Sequence, residues 1–410
     1  MQYKILNKTN IEEYLMSIKN IKEYFNGDAL FIDEIGNGNL NYVFIIKSLN
    51  DNTKALILKQ AVPYLRCLGE DFLLGRERMT YEIRALKQFK ENTSLHIPFL
   101  YDCNESMSTL VMQYLDSHID LREGLIQKNT YANFSEHISS YLADNLFKTS
   151  SLYLSSKEKR NLLDQFNGNE ELCKLSEDFV FTFAFMEHES NDILSKNNDD
   201  FKALIDDVIF KKEVLALKYK FMTQNDALLH GDFHTGSIMI SEKETFVIDP
   251  EFSFIGPFGF DIGALFANLW TSYVSHVVQK SPSSYLKYLL QNLSDLLEKF
   301  EEKFLTLWEK QEESALLTKG FIDNEEMLSF KKEFVLGIIR DAIGFAGCKI
   351  ARRMFGASGV NEIRNIKNDL LKKEAMHICL NIAKRFVKEN KNLASIQDVF
   401  EIIKEEIKPS

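Results

Sequence analysis

The chain has 410 residues, enough for two or three lobes around a sizeable core. Its apolar content of 45% is ordinary for a soluble globular protein, and its net charge of −11 argues against nucleic acid or an anionic membrane surface as the main partner. Five scattered cysteines form no Cys-x-x-Cys pair, which excludes the common zinc and redox motifs and suits reduced thiols in the cytosol.

The N-terminal stretch lacks the long apolar core of a signal peptide, so a cytoplasmic location is expected. Thr9-Asn10-Ile11-Glu12 reads as a capping box opening a short helix to about Lys19, with Ile11, Tyr14, Leu15 and Ile18 at helical spacing. Residues 30–35 form an apolar strand, Gly36-Asn37-Gly38-Asn39-Leu40-Asn41 a turn, and residues 42–47 a second strand. Glycine-rich turns bring backbone N–H groups close to phosphate oxygens. Here Asn41 replaces a third glycine and a strand follows, which disfavours a dinucleotide-binding unit and leaves a plain hairpin as the other reading. After a turn at Asn50-Asp51-Asn52, residues 55–59 make a third strand closed by Lys59. A lysine at a strand end is commonly solvated; after a glycine turn and two strands it is also the candidate contact for nucleotide phosphates.

Residues 63–74 form a loop and residues 75–90 a helix with Met79, Ile83 and Leu86 on one face. Glu82 borders that face as the chosen partner of Lys59; Glu77 competes, and an Arg78–Glu82 surface pair is the third reading. Residues 109–115 give another strand, ending in Gln113-Tyr114-Leu115, by themselves a strand end at a sheet edge. The expected domains are 1–115 and 116–410.

Beyond Asp116 the pattern is helical almost throughout, with segments at 134–147, 201–221, 261–278 and about 285–311. The most apolar run, 334–351, is broken by Arg340, Asp341 and Lys349 and is too charged to span a bilayer. The exception to the helical pattern is residues 228–261. There an apolar pair leads into His230-Gly231-Asp232, followed by Ser237, a strand at 238–240, a polar turn, a strand at 246–248 and Asp249-Pro250-Glu251. Residues two apart on an extended chain point to one side, so Asp249 and Glu251 are expected to aim two carboxylates together, with Asp232 returned towards them by the hairpin. Phosphoryl transfer uses such a set: one carboxylate orients and deprotonates a hydroxyl, and others hold the magnesium that bridges the phosphates. Asp261 can cap the following helix and brace the preceding loop at once. Arg352 and Arg353 close an apolar helix, where paired basic residues also serve as dipole partners.

The string HGDFHTGS from His230, followed by VIDPEFSFIGPFGFDIG from Val247, resembles the protein-kinase-like small-molecule kinases: the aminoglycoside, choline and, most closely, methylthioribose kinases. The resemblance implies an α+β, two-lobed protein-kinase-like fold, with a small antiparallel-sheet lobe and a large, mainly helical lobe. It implies ATP and magnesium as cofactors and a sugar as substrate. The activity implied is phosphorylation of 5-methylthio-D-ribose at its anomeric hydroxyl in methionine salvage, by a homodimer that uses no nucleic acid and no membrane. Asp232 is then the catalytic group. Gly36, Gly38, Asn39 and Asn41 line the nucleotide loop, Lys59 and Glu82 serve the phosphates, and Gln113, Tyr114 and Leu115 meet adenine through the main chain. Asp249, Pro250 and Glu251 replace the metal triplet of protein kinases, and Ser237 stands where those have a metal-binding Asn. Arg352 and Arg353 match the family's twin arginines, which contact sugar and transferred phosphate. His234 joins the substrate contacts, as does Phe72, standing where the family usually has Trp. The rivals are a choline or aminoglycoside phosphotransferase on the same fold, and a nucleotide-binding regulator without activity. The twin arginines oppose a pocket for a polycation, and the retained Asp232, Asp249 and Glu251 oppose the regulator.

Overall fold

The computed structural model describes residues 3–35, 40–65, 71, 73–192, 198–357 and 359–407. Gly36, Gly38, Asn39 and Phe72 lie outside the described residues. The chain divides into two compact units, one made of Met1–His118 with Phe246–Ser253, the other of Ile119–Thr245 with Phe254–Ser410.

The first unit opens with helices α1 (Ile11–Met16) and α2 (Lys19–Phe25) and strands β1 (Leu30–Glu34), β2 (Asn41–Ser48) and β3 (Ala55–Ala61). Helix α3 (Arg78–Asn92) and strands β4 (Leu100–Asn104) and β5 (Thr109–Gln113) complete it. The strands form one antiparallel sheet in the order β1-β2-β3-β5-β4. The two-residue period of a strand decides what each face carries. Leu56 and Leu58 of β3 turn to a core shared with Phe44, Ile46, Val111 and the helix residues Tyr14 and Phe25. Gln60 shares that face, and its side chain takes Leu6 N–H at 2.7 Å. Lys59 therefore belongs to the opposite face, on which α3 packs with Met79, Ile83, Leu86 and Phe89 buried.

Three expectations for this unit change. The helix expected to about Lys19 ends at Met16, because Ile18 is extended (φ −92°, ψ 115°), and a second, unexpected helix starts at Lys19. The expected capping box does not form: the Thr9 hydroxyl and N–H both donate to Asn7 Oδ1, at 2.6 and 2.9 Å. Strand β4, which shows no apolar alternation, takes the sheet edge, so β5 and Gln113 lie inside the sheet and the edge reading falls.

The second unit begins with β6 (Ile119–Asp120), α4 (Leu121–Ile126), α5 (Phe134–Lys148), α6 (Ser156–Phe166), α7 (Glu170–Phe179), α8 (Asp199–Ile205) and α9 (Val208–Thr223). Strands β7 (Ala227–Leu229) and β8 (Ile238–Ile240) follow, and β9 (Thr245–Val247) carries the chain into the first unit. The chain returns through β10 (Phe254–Gly256), then α10 (Gly259–Val278), α11 (Ser283–Glu309), α12 (Asn324–Phe355), α13 (Asn361–Arg364), α14 (Asp369–Glu389) and α15 (Ile396–Glu406). Strand β10 pairs antiparallel with β7, and β6 with β8. The helix expected over 201–221 is interrupted, because Asp207 starts a new one: its carboxylate accepts Phe210 N–H at 2.9 Å. Among the described residues no helix is long and apolar enough to cross a membrane.

Helix α12 is the spine of this unit, packed against α10 on one side and α14 on the other. Both approaches need glycine. A Cβ on Gly263 of α10 would overlap Ala342 O and lie 3.0 Å from Ala346 N; one on Gly347 of α12 would lie 2.7 Å from Ala383 O. By contrast Gly337, also in α12, has nothing within 4 Å of its Cβ position. Gly263→Ala should therefore destabilise the protein by about 1–3 kcal/mol through overpacking. Gly337→Ala should raise stability by about 0.5–1 kcal/mol through helix propensity. Urea unfolding of the two variants checks the opposite signs.

Candidate active site

In the first unit the chemistry gathers on Lys59. Its ammonium lies 2.8 Å from Glu82 on α3, and both side chains are nearly sealed from solvent, 6% and 1% exposed. Asp249 forms a second ion pair with the same ammonium. Lys59 is thus an interior residue of a strand that runs on to Ala61, and Glu82, not Glu77, is its partner on α3.

Asp249 reaches Lys59 in an unexpected way. Its backbone is left-handed (φ +68°), so the extended-chain alternation invoked for Asp249 and Glu251 does not apply. Their convergence comes instead from a bend at Asp249 and the turn that closes when Ser253 N–H donates to Pro250 O at 3.1 Å. Carboxylate oxygens of Glu82, Asp249 and Glu251 then lie within 4.8 Å of one another.

Glu251 is buried and held separately. Its Oε2 accepts from Asn41 Nδ2 at 2.7 Å and lies 3.6 Å from Arg78 Nε. Arg78 also donates to Asn41 Oδ1 at 3.0 Å, Leu40 O at 2.8 Å and Val62 O at 2.9 Å. It ties the end of the glycine-rich turn to α3 and to Glu251. The surface pair Arg78–Glu82 is overturned, because Arg78 is buried and spends its fork on carbonyls, Asn41 and Glu251. Sequence reading missed this role; an Arg at the first turn of a helix gives no local sign that it points inward.

Electrostatics follow from the crowding. Burial disfavours the Lys59 ammonium, but Asp249, Glu82 and Glu251 outweigh it and hold the lysine charged. Burial pushes Glu82 up to about 8, with Lys59 pulling the other way and the two neighbouring carboxylates adding to the rise. Fully ionised, the three carboxylates would exceed the one lysine and one arginine by one negative charge, and burial together with this repulsion pushes Glu82 and Glu251 up. Asp249 is the exposed member. Accessible carboxylate oxygen beside buried carboxylates is the donor set a hard dication such as magnesium takes.

Gln113 N–H donates to Phe99 O at 2.8 Å, and its side-chain oxygen accepts Phe99 N–H at 3.2 Å. Lys47 Nζ stands 4.9 Å over the ring of Tyr114, and Leu115 is buried.

In the second unit the chemistry gathers on Asp232. The turn before it is strained into shape by Gly231 at φ +84°, a conformation that favours glycine. Asp261 braces it: its two carboxylate oxygens accept His230 N–H at 2.6 Å and Gly231 N–H at 3.1 Å. Asp261 lies inside the first turn of α10, whose N-cap is Phe258, so it is a brace and not a cap. Burial raises its carboxyl against the pull of those bonds and of His230.

His234 Nδ1 accepts Gly236 N–H at 3.0 Å, which leaves the ring proton on Nε2, 3.4 Å from Asp232 Oδ2. Ser237 is buried, and its hydroxyl donates to Asp232 O at 3.1 Å. From α12, Lys349 Nζ lies 3.8 Å from Asp232 Oδ1. Burial acts to raise Asp232, but His234, Lys349 and Arg353 outweigh it and hold the carboxyl well below the usual range. Arg352 and Arg353 occupy the last turn of α12, and Asp232 acts on both. Arg122 of α4 lies 3.5 Å from buried Glu362 and 3.4 Å from where a Gly236 Cβ would stand, so it backs the same turn.

Sequence reading named Lys349 only as a charge at the end of an apolar helix and gave it no role, and it did not single out Arg122 or Glu362. For Lys349 a signal existed: it precedes Arg352 and Arg353 by three and four positions, which puts all three on one side of a helix. Arg122 and Glu362 have no such signal, since α4 and α13 meet only in the fold.

Removing the brace isolates its contribution. Asp261→Ala leaves two buried N–H groups without their acceptor, each costing about 1–3 kcal/mol. Urea unfolding should show a loss of at least about 2 kcal/mol.

Residues 182–291 match the family described as phosphotransferase enzyme family. The chain is similar to methylthioribose kinase 1 of Oryza sativa subsp. japonica, 34% identical over 408 residues, covering 97% of this chain and 94% of the relative. It is 37% identical to methylthioribose kinase of Bacillus thuringiensis subsp. konkukian (strain 97-27), covering 89% and 88%. Among solved structures, choline kinase from Cryptosporidium parvum Iowa II aligns over 98% of this chain and 100% of that one, at 13% identity and a TM-score of 0.46, too distant to add to the argument.

Proposed function

Because this chain belongs to the methylthioribose kinase family, we propose that it transfers the γ-phosphoryl group of ATP to the anomeric hydroxyl of 5-methylthio-D-ribose, giving 5-methylthioribose 1-phosphate and ADP in methionine salvage. The observation that carries the reading is Asp232: an ionised carboxylate among His234, Lys349 and Arg353, on a chain matched along nearly its whole length by methylthioribose kinases.

In the proposed reaction Lys59, held by Glu82, meets the nucleotide phosphates, while the main chain of Gln113, Tyr114 and Leu115 meets adenine. Gly36, Gly38, Asn39 and Asn41 form the phosphate loop, its end fixed by the Arg78–Asn41 hydrogen bond. Asp249 and Glu251, with Ser237 as a weaker helper, would hold magnesium, which would supply positive charge against that of the phosphates. Asp232 orients the sugar hydroxyl. The bond from the anomeric oxygen to the γ-phosphorus forms as the bond to the bridging oxygen breaks. The electron pair leaves with ADP, and the hydroxyl proton passes to Asp232. A carboxyl held below its usual range is kept ionised, the state in which it accepts and orients the sugar hydroxyl. Arg352 and Arg353 offer planar forks to the oxygens on which charge grows. His234 and Phe72 complete the sugar site, and the working form is a cytoplasmic homodimer.

Choline and aminoglycosides are cations, and the surroundings of Asp232 are rich in cations, so a neutral sugar suits them better. ADP release with ATP and, in turn, methylthioribose, choline and kanamycin tests the assignment. Methylthioribose alone should support turnover; turnover with choline or kanamycin and none with methylthioribose would sink the sugar assignment.

The arginines give a second test. A neutral sugar makes no ground-state demand for two guanidinia, so their contribution falls mainly in the transition state and should appear in kcat. Arg352→Lys keeps the charge but loses the fork, and turnover should drop about 10–1,000-fold with ATP affinity little changed. Arg353→Lys should show the same pattern, more weakly. Steady-state kinetics with both substrates varied measure it.

A further inference from the structure

The mechanism above leaves Lys349 without a task. It is 3% exposed, and an ammonium taken out of water costs several kcal/mol unless something compensates. Two groups do so. Asp232 Oδ1 lies 3.8 Å from Nζ, and the ring of Phe260 lies beneath it at 4.4 Å. Phe260 is the neighbour of Asp261, which braces the turn before Asp232, so the floor under Lys349 and the brace of Asp232 belong to one turn of α10. The two oxygens of Asp232 are gripped from different elements: Oδ2 by His234 from its own segment, Oδ1 by Lys349 from α12.

We propose that Lys349 is a positioning residue of the transfer step, its buried ammonium fixing the orientation and the negative charge of the Asp232 carboxylate that receives the sugar hydroxyl's proton. The proposal rests on the reading of Asp232 given above. A purely structural lysine is the alternative. It is disfavoured by position, because three cations on one side of a helix repel one another, and a carboxylate is what draws them together.

The charged groups acting on Lys349 are Asp232 from the segment after β7, Asp261 from α10, and Arg352 and Arg353 from its own helix. Burial, with the two arginines, pushes its ammonium down to about 7, while the two aspartates resist. The ammonium is therefore charged on the acid side and neutral on the alkaline side. As pH rises through its titration, Asp232 loses this partner and turnover should fall, in a limb at or above neutrality.

The test uses the full chain with ATP and whichever acceptor the substrate panel shows to be active, so failure of the sugar assignment is read separately, in the wild type. Lys349→Met keeps the bulk and removes the charge. It should lower kcat about 10–100-fold at pH 7, the scale of one electrostatic partner in a phosphoryl-transfer site, and abolish the alkaline limb. Lys349→Arg, which stays charged, should turn over faster than Lys349→Met and also lack the limb. In an Asp232→Asn background, Lys349→Met should cost less than about threefold more, because a residue acting through Asp232 has nothing left to position. Wild-type kcat with the limb intact in Lys349→Met overturns the proposal. So does a full additional loss on top of Asp232→Asn. If Lys349→Met does not fold, Lys349→Arg decides alone: persistence of the alkaline limb in that variant refutes the role.

Discussion

Lys59 carries its ammonium into the interior, cut off from bulk solvent, and much of the first unit answers the need this creates. Strand β3 puts the lysine on the face of the sheet that α3 covers, and α3 replies with Glu82. The chain returning from β9 bends at Asp249 to supply a second carboxylate. Glu251, two residues on, would be one negative charge too many in a dry place without Asn41 and Arg78. Removing a single partner from such a set leaves an uncompensated buried charge, which is far more costly than the pair is stabilising. This face of the sheet is thus built around ionic satisfaction, with apolar packing on the other face as its support.

The second unit has the converse balance. Lys349, Arg352 and Arg353 on α12 and Arg122 on α4 surround one ionised aspartate and one buried glutamate. A segment rich in carboxylates and a segment rich in cations are complementary needs of phosphoryl transfer. The donor end requires a metal to offset phosphate charge, and the acceptor end requires fixed cations where negative charge spreads during transfer.

Much of this was legible in the residues. Periodicity placed β1, β2, β3, α3, α5 and α10 nearly where they fall, and position along the chain paired Lys59 with Glu82, the partner the fold gives it. What escaped has a physical reason in each case. The left-handed backbone of Asp249 is set by the turn it enters, which no two-residue alternation foresees. Strand β4 is a half-buried edge, so it shows no clean alternation. The break at Asp206-Asp207 falls inside a run of apolar residues at three- and four-residue spacings, and the capping carboxylate of Asp207 marks it. Arg78 and Lys349 are buried cations, and sequence alone assigns cations to water; their partners are distant in the chain.

The glycine contacts of α12 bear on how this protein comes apart. Gly347 and Lys349 lie within one turn of the same helix, the first pressed on α14, the second turned to Asp232, while α10 carries both the Asp261 brace and the Gly263 contact with α12. The residues around Asp232 are consequently mounted on the elements that pack most closely. A site of that kind has no low-energy local opening of its own. Backbone amides of α10 and α12 near it should exchange with solvent only through the largest cooperative unfolding event the second unit undergoes.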